Sequence, residues 1–242
     1  MSLLDLTDLA EDANEAGLRS LCERATGGPV PVAAICIWPR FVAKAREILG
    51  ECPVAIATVA NFPKGDATTS TVVQEVEAAL THGADEIDLV LPWRAFLLGE
   101  SGSAREMVET VKACCGEKRL KVILETGEYP DLASVKLASE LAIAAGADFI
   151  KTSTGKTARS ATPEAARVML EVIRATPRPV GLKPSGGIRT LADAETYLGL
   201  ADEIMGPGWA RPETFRFGAS GLYQALLDEI GGQASVPSGE SY

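Results

Sequence analysis

A regular alternation along the chain restricts its fold more than any other feature. Short apolar, β-branched runs recur, each followed by turn residues and then by a stretch with helical spacing. Seven runs are clear: Val32 to Ile37, Val54 to Val59, Glu86 to Leu91, Leu120 to Glu125, Ala147 to Thr152, Val180 to Lys183 and Asp202 to Met205. An eighth, weaker run covers Thr214 to Phe217, ahead of GASG. Between them, Thr69 to Leu80, Ala104 to Ala113, Leu132 to Ala145, Pro163 to Arg174 and Leu191 to Leu198 read as helices. Strands that are apolar along their whole length are buried on both faces, as in a parallel sheet flanked by helices. Eight such units in 242 residues predict a (β/α)8 TIM barrel. An open dinucleotide-binding sheet would place GxGxxG after its first strand, and ICIWPRF offers none.

Three strand entries are variants of one phrase: HGADEIDLV at Gly83, AGADFIKTS at Gly146 and LGLADEIMG at Gly199. A glycine that closes a helix in the left-handed conformation, followed by a small residue and Asp, predicts a tight helix-to-strand turn at each. The expected organisation is a single barrel domain over residues 1–230, with residues 1–30 as a helical cap. The Gly/Ser/Pro-rich stretch 231–242 reads as a flexible tail.

Composition narrows the chemistry. His82 is the only histidine, which disfavours zinc or iron sites with several imidazole ligands and nucleophiles activated by a histidine base. No metal and no cofactor is expected. With 33 acidic and 23 basic residues, the net charge of −10 opposes nonspecific attraction to nucleic acid or an anionic membrane. MSLLDLTDLAED has no basic region ahead of its apolar residues, and no apolar run approaches the roughly 20 residues needed to span a bilayer. The five cysteines are odd in number and lack CxxC pairs, as expected of reduced thiols in a cytoplasmic protein.

Barrels of this kind present reactive groups at the C-terminal ends of their strands. Here the run ends offer Cys36, Asn61, Asp88, Glu125, Lys151 and Lys183. Lys151 ends FIK and Lys183 ends VGLK. A lysine in that position either pairs with a barrel carboxylate or serves as a Schiff-base amine. Burial and a neighbouring ammonium both disfavour the charged form of an amine whose ordinary pKa is about 10.4. The two lysines fall on neighbouring strands and could lie side by side. Asp88, inside EIDLVLP, is open to two compatible readings, a salt bridge to these lysines and a proton relay. Glu125 reads as a hydrogen-bonded support for Lys151 ahead of an acid or base, Cys36 as a small buried group ahead of a nucleophile, and His82 as a helix-end residue. Thr154-Gly155-Lys156, Ser185-Gly186-Gly187-Ile188-Arg189 and Gly218-Ala219-Ser220-Gly221 follow late runs and precede helices. Their backbone N–H groups could hold an anion, which indicates a phosphorylated small substrate.

On AAICIWPRF, ATVANFPKG, GADEIDLVLP, LKVILETGE, AGADFIKTSTGK, ATPEAARVM, GLKPSGGIRT and RFGAS, the chain resembles the deoxyribose-phosphate aldolase family over essentially its whole length. The resemblance implies a metal-free class I aldolase acting on phosphosugar and aldehyde substrates, with a homodimer left open. It implies that Lys151 forms the imine, Lys183 lowers its pKa, and Asp88 works with Lys183 as a proton relay through water. Cys36 would lie beside the substrate, with Thr154, Gly155, Lys156, Gly186, Gly187, Arg189, Gly218 and Ser220 around the phosphate. Tyr242 would reach back to assist proton transfer. Two departures stand out: Gly221, where a second serine often follows Ser220, and Trp38, where tyrosine is common.

Overall fold

A computed structural model describes residues 1–232. Eight strands, β1 (Leu4–Asp8), β2 (Ala34–Ile37), β3 (Ala55–Ala60), β4 (Glu86–Val90), β5 (Arg119–Ile123), β6 (Phe149–Lys151), β7 (Gly181–Lys183) and β8 (Phe217–Ala219), alternate with helices. The helices are α1 (Glu15–Gly27), α2 (Val42–Leu49), α3 (Thr69–Thr81), α4 (Trp93–Leu97), α5 (Ser101–Cys115), α6 (Leu132–Ala144), α7 (Pro163–Ala175), α8 (Leu191–Met205) and α9 (Leu222–Ile230). Strand pairing is parallel, in the order β7-β6-β5-β4-β3-β2-β1-β8. Parallel bridges from Leu182 to Phe215 and from Ser185 to Gly218 close the ring between β7 and β8. The architecture is the expected (β/α)8 barrel.

Helix starts follow from their capping residues. Thr68, Asp131 and Thr162 each accept a backbone N–H three residues on, and Pro163 adds a preset φ at the first helical position. Thr190 and Asp193 form a reciprocal capping box on α8. The left-handed turns predicted at Gly83 and Gly146 are present, with φ of 99° and 103°.

Two parts of the strand assignment differ from expectation. The run Asp202 to Met205 is the last turn of α8, and Gly199 lies inside that helix. Ala194, Tyr197, Ala201 and Ile204 are the buried positions, a helical stripe, and the glycine that ends the helix is Gly206 at φ 94°. The first 30 residues do contain the expected helix, α1, but they also supply β1, which pairs with both β2 and β8. Asp5 and Asp8 interrupt the apolar pattern of that strand.

Side chains alternate across each strand, so two apolar regions form. Ile35, Ile37, Ile56, Ile87 and Leu89 pack outward in the large core shared with the helices. Each fully buried aliphatic side chain of this kind contributes about 1.5–3 kcal/mol. Ala34, Cys36, Ala57 and Val59 form a separate small cluster with Leu9. On the inner wall β2 and β3 are apolar, and Phe149 on β6 adds a buried ring beneath Arg216. Among the described residues, no helix is long and apolar enough to cross a membrane, and the five thiols are free.

Candidate active site

Facing that apolar wall, the other strands turn charged residues inward. Lys151 and Lys183 are register partners on β6 and β7, as their place at the run ends predicted. Both lysine nitrogens reach the same atom, Asp88 Oδ2, at 2.8 Å each. The buried Asp88 therefore does form the expected ion pairs, and to both lysines at once. Burial opposes ionisation of Asp88, but Lys121, Lys151 and Lys183 outweigh it and hold the carboxyl well below the usual range. Burial likewise pulls the Lys183 pKa down, and Asp5 and Asp88 reverse it, so the ammonium form of Lys183 is favoured. Cys36 Sγ lies 3.9 Å from Asp88 Oδ2. Burial, then the Asp88 charge, pushes its thiol up, so Cys36 is a neutral neighbour of the carboxylate at physiological pH.

Four residues of this cluster were not singled out from the sequence. Asp5 accepts from Lys183 at 2.5 Å and from Arg216 at 2.6 Å. Glu86 contacts Lys121 at 2.5 Å and Arg216 at 3.0 Å. Lys121 donates to Asp88 Oδ1 at 2.9 Å. A usable signal existed in each case, because each is a charged residue inside or beside a strand run: LLDLT, DEIDL, RLKVI and TFRFG. An ion at such a position has to be partnered.

Glu125 does a different task from the one expected. Its buried carboxylate accepts from the Thr154 hydroxyl at 2.6 Å, the Thr154 amide at 3.1 Å and the Thr157 hydroxyl at 3.3 Å. It therefore braces the 154–157 loop, and no contact with Lys151 is made. Within that loop the Lys156 amine donates to the Leu9 carbonyl at 2.9 Å, tying it to the segment after β1. His82 is an exposed helix-end residue, as expected.

The three glycine clusters converge. A Cβ on Gly186 would lie 3.3 Å from the Gly155 Cα, and a Cβ on Gly221 would lie 3.8 Å from Arg189. Gly155, Gly186 and Gly187 have φ of 76°, 82° and 80°, the left-handed region that glycine tolerates best. Ser185 locks the exits of β6 and β7 together, its amide donating to Thr152 Oγ1 at 2.9 Å and its hydroxyl to the Ser153 carbonyl at 2.5 Å. Thr154, Gly155, Lys156, Gly187, Arg189 and Ser220 are exposed or partly exposed around this junction. Tyr242 lies outside the described residues.

Gly218 is a packing necessity. A methyl group there would sit 2.7 Å from Ser185 Cβ and 3.0 Å from Lys183 Cε. Gly218→Ala is expected to cost about 1–3 kcal/mol of stability and to lower kcat more than it raises KM, since it pushes directly on Lys183. Thermal melts and steady-state kinetics check this; unchanged melting and kcat would refute it.

A parallel barrel whose strand ends gather lysines around one carboxylate defines an enzyme of the (β/α)8-barrel class. More narrowly, the chain belongs to the DeoC/LacD aldolase family, whose model matches residues 1–208. It is 53% identical to the deoxyribose-phosphate aldolase of Agrobacterium fabrum, over all of this chain and 94% of that one. The deoxyribose-phosphate aldolase of Aeropyrum pernix, a tetramer, superposes with a TM-score of 0.79 at 26% identity, over 95% of this chain and 90% of that one. A Toxoplasma gondii protein assigned the same activity superposes at 0.87 with 26% identity, over 97% and 94%.

Proposed function

We propose that this enzyme is a class I aldolase that reversibly cleaves 2-deoxy-D-ribose 5-phosphate into acetaldehyde and D-glyceraldehyde 3-phosphate. The observation that carries the reading is the shared contact of Lys151 and Lys183 with one oxygen of Asp88, at 2.8 Å each. The family membership and the full-length relative support the substrate.

In this reading the Lys151 amine adds to the open-chain aldehyde, and the adduct takes up one proton and loses water to give a protonated imine. The hydroxyl on carbon three passes its proton through water to the Asp88 and Lys183 relay, and the bond between carbons two and three breaks, its electron pair moving toward the imine nitrogen. Glyceraldehyde phosphate leaves as the aldehyde so formed, and the two-carbon enamine remains on Lys151. Asp88 and Lys183, through water, return a proton to the enamine carbon, with Tyr242 proposed to assist. Hydrolysis frees acetaldehyde and restores the amine. The imine nitrogen is the electron sink, so neither imidazole nor metal is required. Lys183, the cation favoured by Asp5 and Asp88, suits the role of proton donor.

The glycine-rich junction is proposed to hold the phosphate through Gly155, Gly186, Gly187, Gly218 and Ser220, with Lys156 and Arg189 supplying charge and Thr154 orienting its loop. Cys36 would face the substrate beside Asp88. Five free thiols support a cytoplasmic location. The net charge of −10 favours small-molecule partners over nucleic acid or membrane. A homodimer is the assembly carried with this reading.

Borohydride reduction with acetaldehyde, followed by intact mass and peptide mapping, should find one ethyl group, on Lys151. Cleavage assays across several phosphorylated sugars should single out the 2-deoxypentose, and chelator should leave turnover intact. An unmodified Lys151, or loss of activity on chelation, would overturn the mechanism.

A further inference from the structure

Deeper in the barrel than the lysine pair lies a third amine that the reaction does not use. We propose that Lys121 is a positioning residue that keeps Lys151 in its uncharged, nucleophilic form by claiming the other oxygen of Asp88. The proposal rests on the reading of Lys151 as the imine-forming residue.

Lys121 is fully buried, and its ammonium lies 2.5 Å from Glu86, 2.9 Å from Asp88 Oδ1 and 3.2 Å from Asp5. An ammonium has three N–H donors, and three carboxylates surround this one. The whole cluster sets four cations, Lys121, Lys151, Lys183 and Arg216, against three carboxylates, Asp5, Glu86 and Asp88. Arg119 also reaches Glu86, from a partly exposed position where water screens it. Among the described residues the one other titratable neighbour is Cys36 on β2, held as a neutral thiol.

Fully protonated, the cluster would bury an excess positive charge, which is costly in a low-dielectric interior. Loss of one proton restores balance, and the contacts decide where it leaves. The Arg216 guanidinium does not deprotonate in proteins. Lys121 would give up three carboxylate contacts and Lys183 would give up two, to Asp5 and Asp88. Lys151 has one, on an oxygen it shares with Lys183, and it is the only one of the three lysines with any exposure, at 3%. The proton therefore leaves Lys151 at the smallest loss of attraction. Without Lys121 the count becomes three against three, Asp88 Oδ1 loses its partner, and Lys151 can stay charged.

The test is the pH dependence of kcat/KM and of borohydride trapping in Lys121→Gln, which keeps a hydrogen-bond donor without the charge, and in Lys121→Arg. In Lys121→Gln the acid limb of kcat/KM should move up by about one pH unit or more, with trapping at neutral pH falling about tenfold and recovering at alkaline pH. Lys121→Arg should restore the limb. A loss that is equal at every pH, or an acid limb that Lys121→Gln leaves unmoved, would overturn the proposal while wild-type trapping at Lys151 still stood. Absence of wild-type trapping at any pH would overturn the imine assignment and this proposal with it. A measurement free of folding effects is nitrogen NMR of the wild type labelled at lysine Nζ. It should show a neutral amine at pH 7 whose signal disappears in Lys151→Arg, and an ammonium on Lys151 at that pH would refute the inference.

Discussion

Lys151→Ala is expected to abolish cleavage, lowering kcat by at least about 10^4-fold, the scale on which removal of a covalent nucleophile is felt. No neighbouring amine can substitute. Lys183 is register-matched to Lys151 but bonded to two carboxylates, and Lys121 is enclosed by three. Both are fully buried, so neither can present a free amine to an aldehyde without breaking ion pairs. The fold should survive, because Lys151 makes a single contact with Asp88, which keeps its ion pairs to Lys121 and Lys183. The measurement is single-turnover cleavage together with borohydride trapping. Residual turnover within about 100-fold of wild type, or a reducible adduct on another lysine, would refute the assignment.

Asp88→Asn carries the second largest effect, and it should strike activity and stability together. Asp88 is the one carboxylate bonded to all three lysines. Its neutral amide would leave buried ammonium groups short of compensation, a loss of about 3–5 kcal/mol for a broken buried ion pair. In a protein of this size that lowers Tm by on the order of 10 °C. With the carboxylate of the proposed relay gone, kcat should fall by about 10²–10⁴-fold. The pH dependence distinguishes this change from a general loosening. Asp88 is held below the usual carboxylate range in the folded protein, so its contribution is present above the unfolded value near 4 and is lost as pH falls from there toward the folded value. Wild-type stability should therefore drop on acidification below about pH 4, and Asp88→Asn should show a shallower drop. Equal acid sensitivity in the two proteins would show that Asp88 does not carry the linkage.

The buried pairing of Lys151 with Lys183 was legible in the sequence because each lysine ends an apolar run, where a solvated side chain is out of place. The glycine clusters were legible for a related reason: turn chemistry is local, and three such turns after late strands point to one rim. The role of Glu125 was not legible. Its place at the end of LKVILE indicates a strand exit, but the loop it braces comes 29 residues later. The helical state of the Asp202 to Met205 run was not legible, because four apolar and acidic residues fit a short strand and a helix end equally well, and Gly206 ends the segment in either case.

By itself the sequence determined the alternation, and with it the parallel barrel, since hydrophobic period and turn residues act over a few neighbouring positions. It also determined which amines would stand at strand ends. Only the tertiary structure decided which strand closes the ring and which charges meet inside it. Asp5 and Arg216 are separated by 211 positions, and their contact at 2.6 Å exists because β1 and β8 pair. The physical reason is that ion pairing in a barrel interior depends on distances across the closed ring, to which local periodicity contributes nothing. Burial then makes each of those pairings obligatory.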